Sequence, residues 1–116
     1  VIFAGGYFHR NSLMCESAEG ISLVSRHRAT KAFMGATGIN DEMGITSSNP
    51  FEQKIKQVAM EASLRKFLLV DSSKFGVVQT SYFADLSDFD TVICDSGIPD
   101  TYSGYIRKLG IGLEVV

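Results

Sequence analysis

Two uninterrupted apolar runs, Phe67-Leu68-Leu69-Val70 and Thr91-Val92-Ile93-Cys94, constrain this chain more than any other feature. Neither run alternates polar with apolar residues. Continuous patterns of this length are those of strands covered on both faces, which belong to parallel sheets. Each run stops at an acid-led polar loop, Asp71-Ser72-Ser73-Lys74-Phe75-Gly76 in one case and Asp95-Ser96-Gly97 in the other. Parallel neighbours need a crossover, and helical patterns lie where crossovers are required. The fold class expected is therefore α/β: an open, mostly parallel sheet with flanking helices.

The remaining elements follow from local chemistry. Val1 to Ala4 is a short apolar run stopped by Gly5-Gly6 and reads as a buried strand. Phe8 to Ser17 is ambiguous, with Ser12 to Cys15 the best candidate for a short strand. Glu16 to His27 has helical spacing, weakened by Gly20. Lys31 to Thr37 reads as another buried strand, running into Gly38-Ile39 and a polar turn at Asn40 to Gly44. Asn49-Pro50 is the clearest helix start, with an N-cap amide, proline at the first turn and Glu52 following. That helix is expected to reach about Lys66, burying Phe51, Ile55, Val58, Ala59 and Ala62. Ile98-Pro99 to Leu109 reads as a second such helix, with Ile98, Tyr102, Tyr105, Ile106 and Leu109 on its apolar face. Gly112 to Val116 closes as a strand. No repeat, low-complexity tract or linker divides the 116 residues, so one domain is expected.

Composition narrows the function. Eleven basic against thirteen acidic residues give a formal charge of −2. A nucleic-acid binder needs a basic excess to displace counterions, which argues against this segment binding DNA by itself. No apolar run approaches the roughly 20 residues of a membrane helix, and no signal peptide is visible. Cys15 and Cys94 lack any C-x-x-C or Cys/His spacing, and each reads as a reduced, core-type cysteine of a cytoplasmic protein. Neither a metal nor a cofactor is expected.

In an open parallel sheet, ligands bind beyond the carboxyl ends of the strands. Those ends present Gly5-Gly6, Gly35-Ala36-Thr37-Gly38, Asp71-Ser72-Ser73-Lys74 and Asp95-Ser96-Gly97. Glycines let backbone N–H groups approach an anion, and Lys74 beside two serines suits a phosphate or carboxylate. Each piece also has a bland reading. Gly5-Gly6 alone is a turn, Gly35-x-x-Gly38 marks close backbone packing, and Asp71-Ser72-Ser73-Lys74 alone reads as a solvated turn in which Asp71 caps backbone amides. Glu52 and Lys56 stand at the spacing of a helical surface ion pair. His9 and His27 have no acid or cysteine at ligand spacing and read as surface or packing residues. Convergence on one sheet edge is what favours a site.

Taken in order, Ala32-Phe33-Met34-Gly35-Ala36-Thr37-Gly38-Ile39, Gly44-Ile45-Thr46, Asn49-x-x-Glu52-x-x-x-Lys56, Val70-Asp71-Ser72-Ser73-Lys74-Phe75-Gly76 and Asp90-Thr91-x-Ile93-x-Asp95-Ser96-Gly97 resemble the effector-binding domain of DeoR-family transcriptional repressors. The resemblance covers the whole chain. It implies a fold like that of ribose phosphate isomerase, glucosamine phosphate deaminase and CoA transferases. It also implies a phosphorylated sugar or related metabolite as effector and control of a sugar catabolic operon. On this reading residues 1–116 are one partial sensor domain. The family's winged helix-turn-helix, through which DNA is contacted, and its first sensor strand with a D-x-G-T-T loop are expected to precede Val1. The ligand-binding set is then Gly5, Gly6, Gly35, Thr37, Gly38, Asn49, Glu52, Lys56, Asp71, Ser73 and Lys74, with Lys74 on the phosphate and Glu52 facing hydroxyls.

The competing reading is an isomerase or deaminase of the same fold. Such chemistry needs a tuned base over the sugar carbon, and Glu52 is the only carboxylate suitably placed, with no second acid, base or histidine tied to the loops. No nucleophilic glutamate in a small-residue loop supports a CoA transferase. A structural or oligomerisation role is the blander alternative. A repressor reads a symmetric operator, so a homo-oligomer is expected. The Phe75 to Phe89 stretch and the last helix are its candidate interface, unless that stretch folds back onto its own sheet.

Overall fold

The two apolar runs pair with each other in parallel, as their pattern requires. A computed structural model describes residues 1–116. In chain order the elements are β1 (Tyr7–His9), β2 (Met14–Glu16), α1 (Ala18–Ser25), β3 (Ala29–Met34), β4 (Gly38–Asn40), β5 (Gly44–Ser47), α2 (Phe51–Glu61), β6 (Ser63–Leu69), β7 (Ser81–Ala84), β8 (Thr91–Cys94), α3 (Asp100–Lys108) and β9 (Gly112–Val115). Single 3₁₀ turns occupy Ser72–Lys74 and Leu86–Asp88. Strands β3, β6, β8 and β9 form one parallel sheet in that order, with Leu68 opposite Val92 and Val92 opposite Leu113. The α/β class expected from the sequence is the class observed.

Strand order and chain order run the same way across this sheet. Right-handed crossovers then all fall on one face. That face carries the core, in which Leu68, Val92 and Cys94 meet Met60 of α2, Ile106 of α3, and Ile39, Ile45, Phe83 and Phe89. The opposite face carries Phe33 stacked on Phe67, with Arg65 over the Phe67 ring, and it stays open enough to leave Phe33 57% exposed. The expectation of strands covered on both faces is met in β8, where Thr91 on this face is buried and Ile93 half-buried, but not in β6, whose Leu69 is exposed. β3 is an edge strand and mostly exposed.

A small antiparallel sheet, β4-β5-β7, packs into the same core. Gly38 is required where β4 enters it. A Cβ there would stand 2.6 Å from both Thr46 Oγ1 and the Val77 carbonyl. The third sheet is the β1-β2 hairpin, whose His9 ring stacks on Phe51 at the start of α2, with 4.6 Å between centroids.

Several expectations change. Val1 to Ala4 forms no strand: it pairs with nothing, and Val1, Ile2 and Phe3 are exposed. The strand read over Lys31 to Thr37 ends at Met34, because Thr37 N–H turns to the Thr46 carbonyl. Helix α2 ends at Glu61 rather than near Lys66. The Ala62 carbonyl accepts from Ala29 N–H, and Lys66 N–H donates to Asp90, so residues from Ser63 onward join the sheet. Of its expected buried face, Val58 and Ala62 are buried while Phe51 is exposed beneath His9. The Phe75 to Phe89 stretch does fold onto its own subunit. Phe75, Phe83, Leu86 and Phe89 are all core residues, which removes them as an oligomer interface.

Candidate functional site

The carboxyl edge of the parallel sheet is built from two groups of side chains. The first centres on Lys56, one turn after Glu52 on α2. Its ammonium donates to Glu52 Oε2 at 2.6 Å, to the Gly35 carbonyl at 2.8 Å and to Ser47 Oγ at 3.1 Å, and it lies over the Phe83 ring. Three protons meet three acceptors, which fixes the side chain. Ser47 is fully buried, and its hydroxyl donates on to Glu52 Oε2 at 3.1 Å. Both charged side chains are largely covered, at 14% exposure for Glu52 and 16% for Lys56. This is no solvated surface pair. It is an anchored carboxylate with one oxygen engaged, while Oε1 makes no hydrogen bond within the chain. Since no buried side-chain oxygen or nitrogen lacks a partner, Oε1 is open to solvent.

Gly35 and Thr37 serve this group through the backbone. Gly35 follows β3 beside Leu69 of β6 and gives its carbonyl to Lys56. Thr37 Oγ1 accepts from Ser48 N–H at 2.8 Å, holding the strand-to-helix turn that leads into Asn49. Asn49 Oδ1 in turn accepts from Phe51 N–H at 3.3 Å and so acts as the cap expected of it. Proline follows it at the first turn.

The second group is the loop after β6. Asp71 accepts from the Ser73 amide at 2.9 Å and from the Ser73 hydroxyl, and stands 3.6 Å from the Lys74 ammonium. Those bonds, the Ser73 hydroxyl first, hold the Asp71 carboxyl below its ordinary range. Asp95, at the end of β8, accepts from Ser72 N–H at 2.7 Å and Gly97 N–H at 2.8 Å, and is lowered for that reason. The capping role read for Asp71 is thus formed. Lys74 remains half-exposed. The loop touches the small sheet where Gly76 N–H donates to the Ile39 carbonyl. No hydrogen bond or ion pair joins the two groups.

Gly5 and Gly6 belong to neither. They lie beside the hairpin and α1, where a Cβ on Gly6 would come within 2.1 Å of the Glu16 carbonyl. Both take positive φ, 64° for Gly5 and 117° for Gly6, as the turn reading expects, and at Gly6 close packing adds to that need. His9 does have an acidic partner: Glu16 Oε1 lies 2.7 Å from its Nε2, across the hairpin. The spacing of seven residues is legible only once the hairpin is known. Cys94 is buried in the core and its thiol is pushed up by that burial, while both cysteines are free.

The family model for the DeoR C terminal sensor domain matches residues 1–96. The chain belongs to the DeoR C-terminal sensor domain family. It is 32% identical over 105 residues to an uncharacterized HTH-type transcriptional regulator, FruR, of Bacillus subtilis (strain 168), covering 90% of this chain and 41% of that protein. It is 31% identical over 109 residues to the deoxyribose operon repressor of Escherichia coli (strain K12), covering 94% and 43%. The L-fucose operon activator of Haemophilus influenzae (strain ATCC 51907 / DSM 11121 / KW20 / Rd) is 35% identical over 86 residues, covering 74% and 34%. The sensor domain thus spans less than half the length of these relatives. Membership places it among regulatory domains and not among the enzymes of similar architecture. No helix is long and apolar enough to cross a membrane, and no group of three or more His, Cys, Asp or Glu is placed to hold a metal ion.

Proposed function

We propose that this sensor domain binds a phosphorylated sugar or related metabolite at the carboxyl edge of its parallel sheet and so alters DNA binding by the rest of a cytoplasmic, homo-oligomeric regulator. The observation that carries the reading is the Glu52-Lys56-Ser47 cluster, which holds one carboxylate oxygen fixed and leaves the other free. A carboxylate held this way accepts hydrogen bonds from a polyol without needing to reorganise. Names of relatives support the ligand class: one represses a deoxyribose operon and another activates an L-fucose operon.

Roles follow from position. Glu52 takes hydroxyls, and Lys56 holds Glu52 in place through their ion pair. Gly35, Thr37, Gly38 and Asn49 shape the wall. Lys74, with Asp71 and Ser73 fixing its loop, takes the phosphate as a point charge with three donors. Gly5 and Gly6 contribute by placing the hairpin.

Titration calorimetry of the complete protein with a panel of sugar phosphates tests this. One or more should bind saturably with no new product, and Lys74→Ala should weaken that binding at least about tenfold, the scale of one charge-assisted phosphate contact. Unaltered affinity in Lys74→Ala removes Lys74 from the site. An isomerised or deaminated product restores the enzyme reading.

A further inference from the structure

The turn of the β1-β2 hairpin overhangs a polar cavity of about 580 Å³. Arg10, Asn11 and Ser12 line it from the hairpin, and Ser48, Asn49 and Glu52 line it from the start of α2. The hairpin is held there by the His9 ring on Phe51 and by the His9–Glu16 bond. Leu13, the only non-glycine residue with a positive φ, at 55°, tightens the turn that carries Arg10.

Charge in this cavity is distributed unevenly. Glu52 is neutralised by Lys56 at 2.6 Å, and His9 is engaged with Glu16. Arg10 is exposed and makes neither a hydrogen bond nor an ion pair with the chain. It is the one lining cation without a counter-charge. A guanidinium presents paired N–H donors in a plane, which matches the oxygens of a phosphate or carboxylate and not those of a neutral hydroxyl. Asn11 and Ser12 on the hairpin side and Asn49 on the α2 side bring further side-chain donors to the cavity lining. None of the cavity's lining residues belongs to the Lys74 loop.

We infer that Arg10 and Asn49 form an anion subsite, separate from the Lys74 loop, that takes a phosphate or carboxylate group between the hairpin turn and α2. The inference deepens the sensing role and rests on it only for the identity of the natural ligand. An effector engaging Glu52 through its hydroxyls would then be read at this end for a second acidic group. The hairpin turn would contribute directly to effector choice.

Inorganic phosphate and acetate are the probes, followed by NMR of the Arg10 Nε–H and Asn49 side-chain amide signals in the complete protein. At least one anion should shift both signals saturably. Arg10→Gln should weaken that anion about tenfold or more, and Arg10→Lys by less, since charge survives while the planar fork is lost. Lys108→Gln, an equal charge change on an exposed part of α3, should leave it unchanged. A response to phosphate alone assigns a phosphate site, and a response to acetate as well assigns a general carboxylate and phosphate site. No saturable shift with either anion, or equal weakening by Arg10→Gln and Lys108→Gln, overturns the inference. Phosphate binding at Arg10 in a protein that binds no sugar phosphate would refute the sensing role and leave the subsite standing.

Discussion

Lys56 illustrates how a single residue carries two readings that only geometry separates. Four residues from Glu52, it looks like half of a surface ion pair contributing a few tenths of a kcal/mol. Ser47 and the Gly35 carbonyl complete its coordination instead, and neither is near it in sequence. Asp71 and Asp95 show the converse, since their capping roles are visible locally. Both carboxyls lie below their ordinary value of 3.8 in the fold. A depressed folded value means that these groups add stability above the unfolded value and lose it as pH falls through the folded one. Stability of the sensor domain is therefore expected to fall below about pH 4, the ordinary carboxylate range. Urea unfolding of Asp95→Asn should show a variant weaker than wild type near neutral pH, with the difference shrinking as the solution is acidified toward about pH 2. A difference independent of pH would remove the Ser72 and Gly97 amides as its cause.

At the scale of elements, the strongest test concerns the segment between the Lys74 loop and β8. Phe83 and Phe89 are 3% and 2% exposed within one subunit. Phe89→Ala should cost about 3–5 kcal/mol, the range for deleting a buried aromatic ring, read as a lower urea midpoint at unchanged oligomeric state. A cost under about 1 kcal/mol, outside that range, would mean that the ring is not packed as described. The same segment shows what sequence can and cannot convey. β6, β8, α2 and α3 were legible because apolar continuity and helical spacing are local patterns. β5 and β7 were not, because Gly44–Ser47 and Ser81–Ala84 mix small and polar residues whose burial depends on partners far along the chain. Helix α2 overran its true end because Ser63 to Lys66 keep helical spacing, and only pairing with β3 and the Asp90 contacts draws them into the sheet. Glu52, Lys56 and Asn49 are expected at the carboxyl edge from the family resemblance, and the Asp71 loop from its strand-end position, so these proposed site residues are legible in sequence. Ser47 and Arg10 are not, since one is hidden in an unmarked strand and the other in a hairpin whose turn carries no glycine at its tip.

For the whole molecule, the direction of strand progression has the largest consequence. With all crossovers on one face, the small sheet, α2 and α3 share a single core, and the polar cavity beside Glu52 is walled by the start of α2 and the hairpin. On the proposed reading, a ligand in that cavity would touch both the hairpin and α2. An effector shifts an equilibrium only by its differential affinity for two states. Operator affinity of the complete protein, measured by fluorescence anisotropy with and without the sugar phosphate that binds it, tests the account most directly when wild type is compared with Glu52→Gln. Wild type should change operator affinity by about fivefold or more on saturation, the lower end of ordinary allosteric coupling, and Glu52→Gln should need at least about tenfold more effector for the same change, the cost of one charge-assisted hydrogen bond. An identical effector response in Glu52→Gln would contradict the account by placing recognition somewhere other than the carboxyl edge.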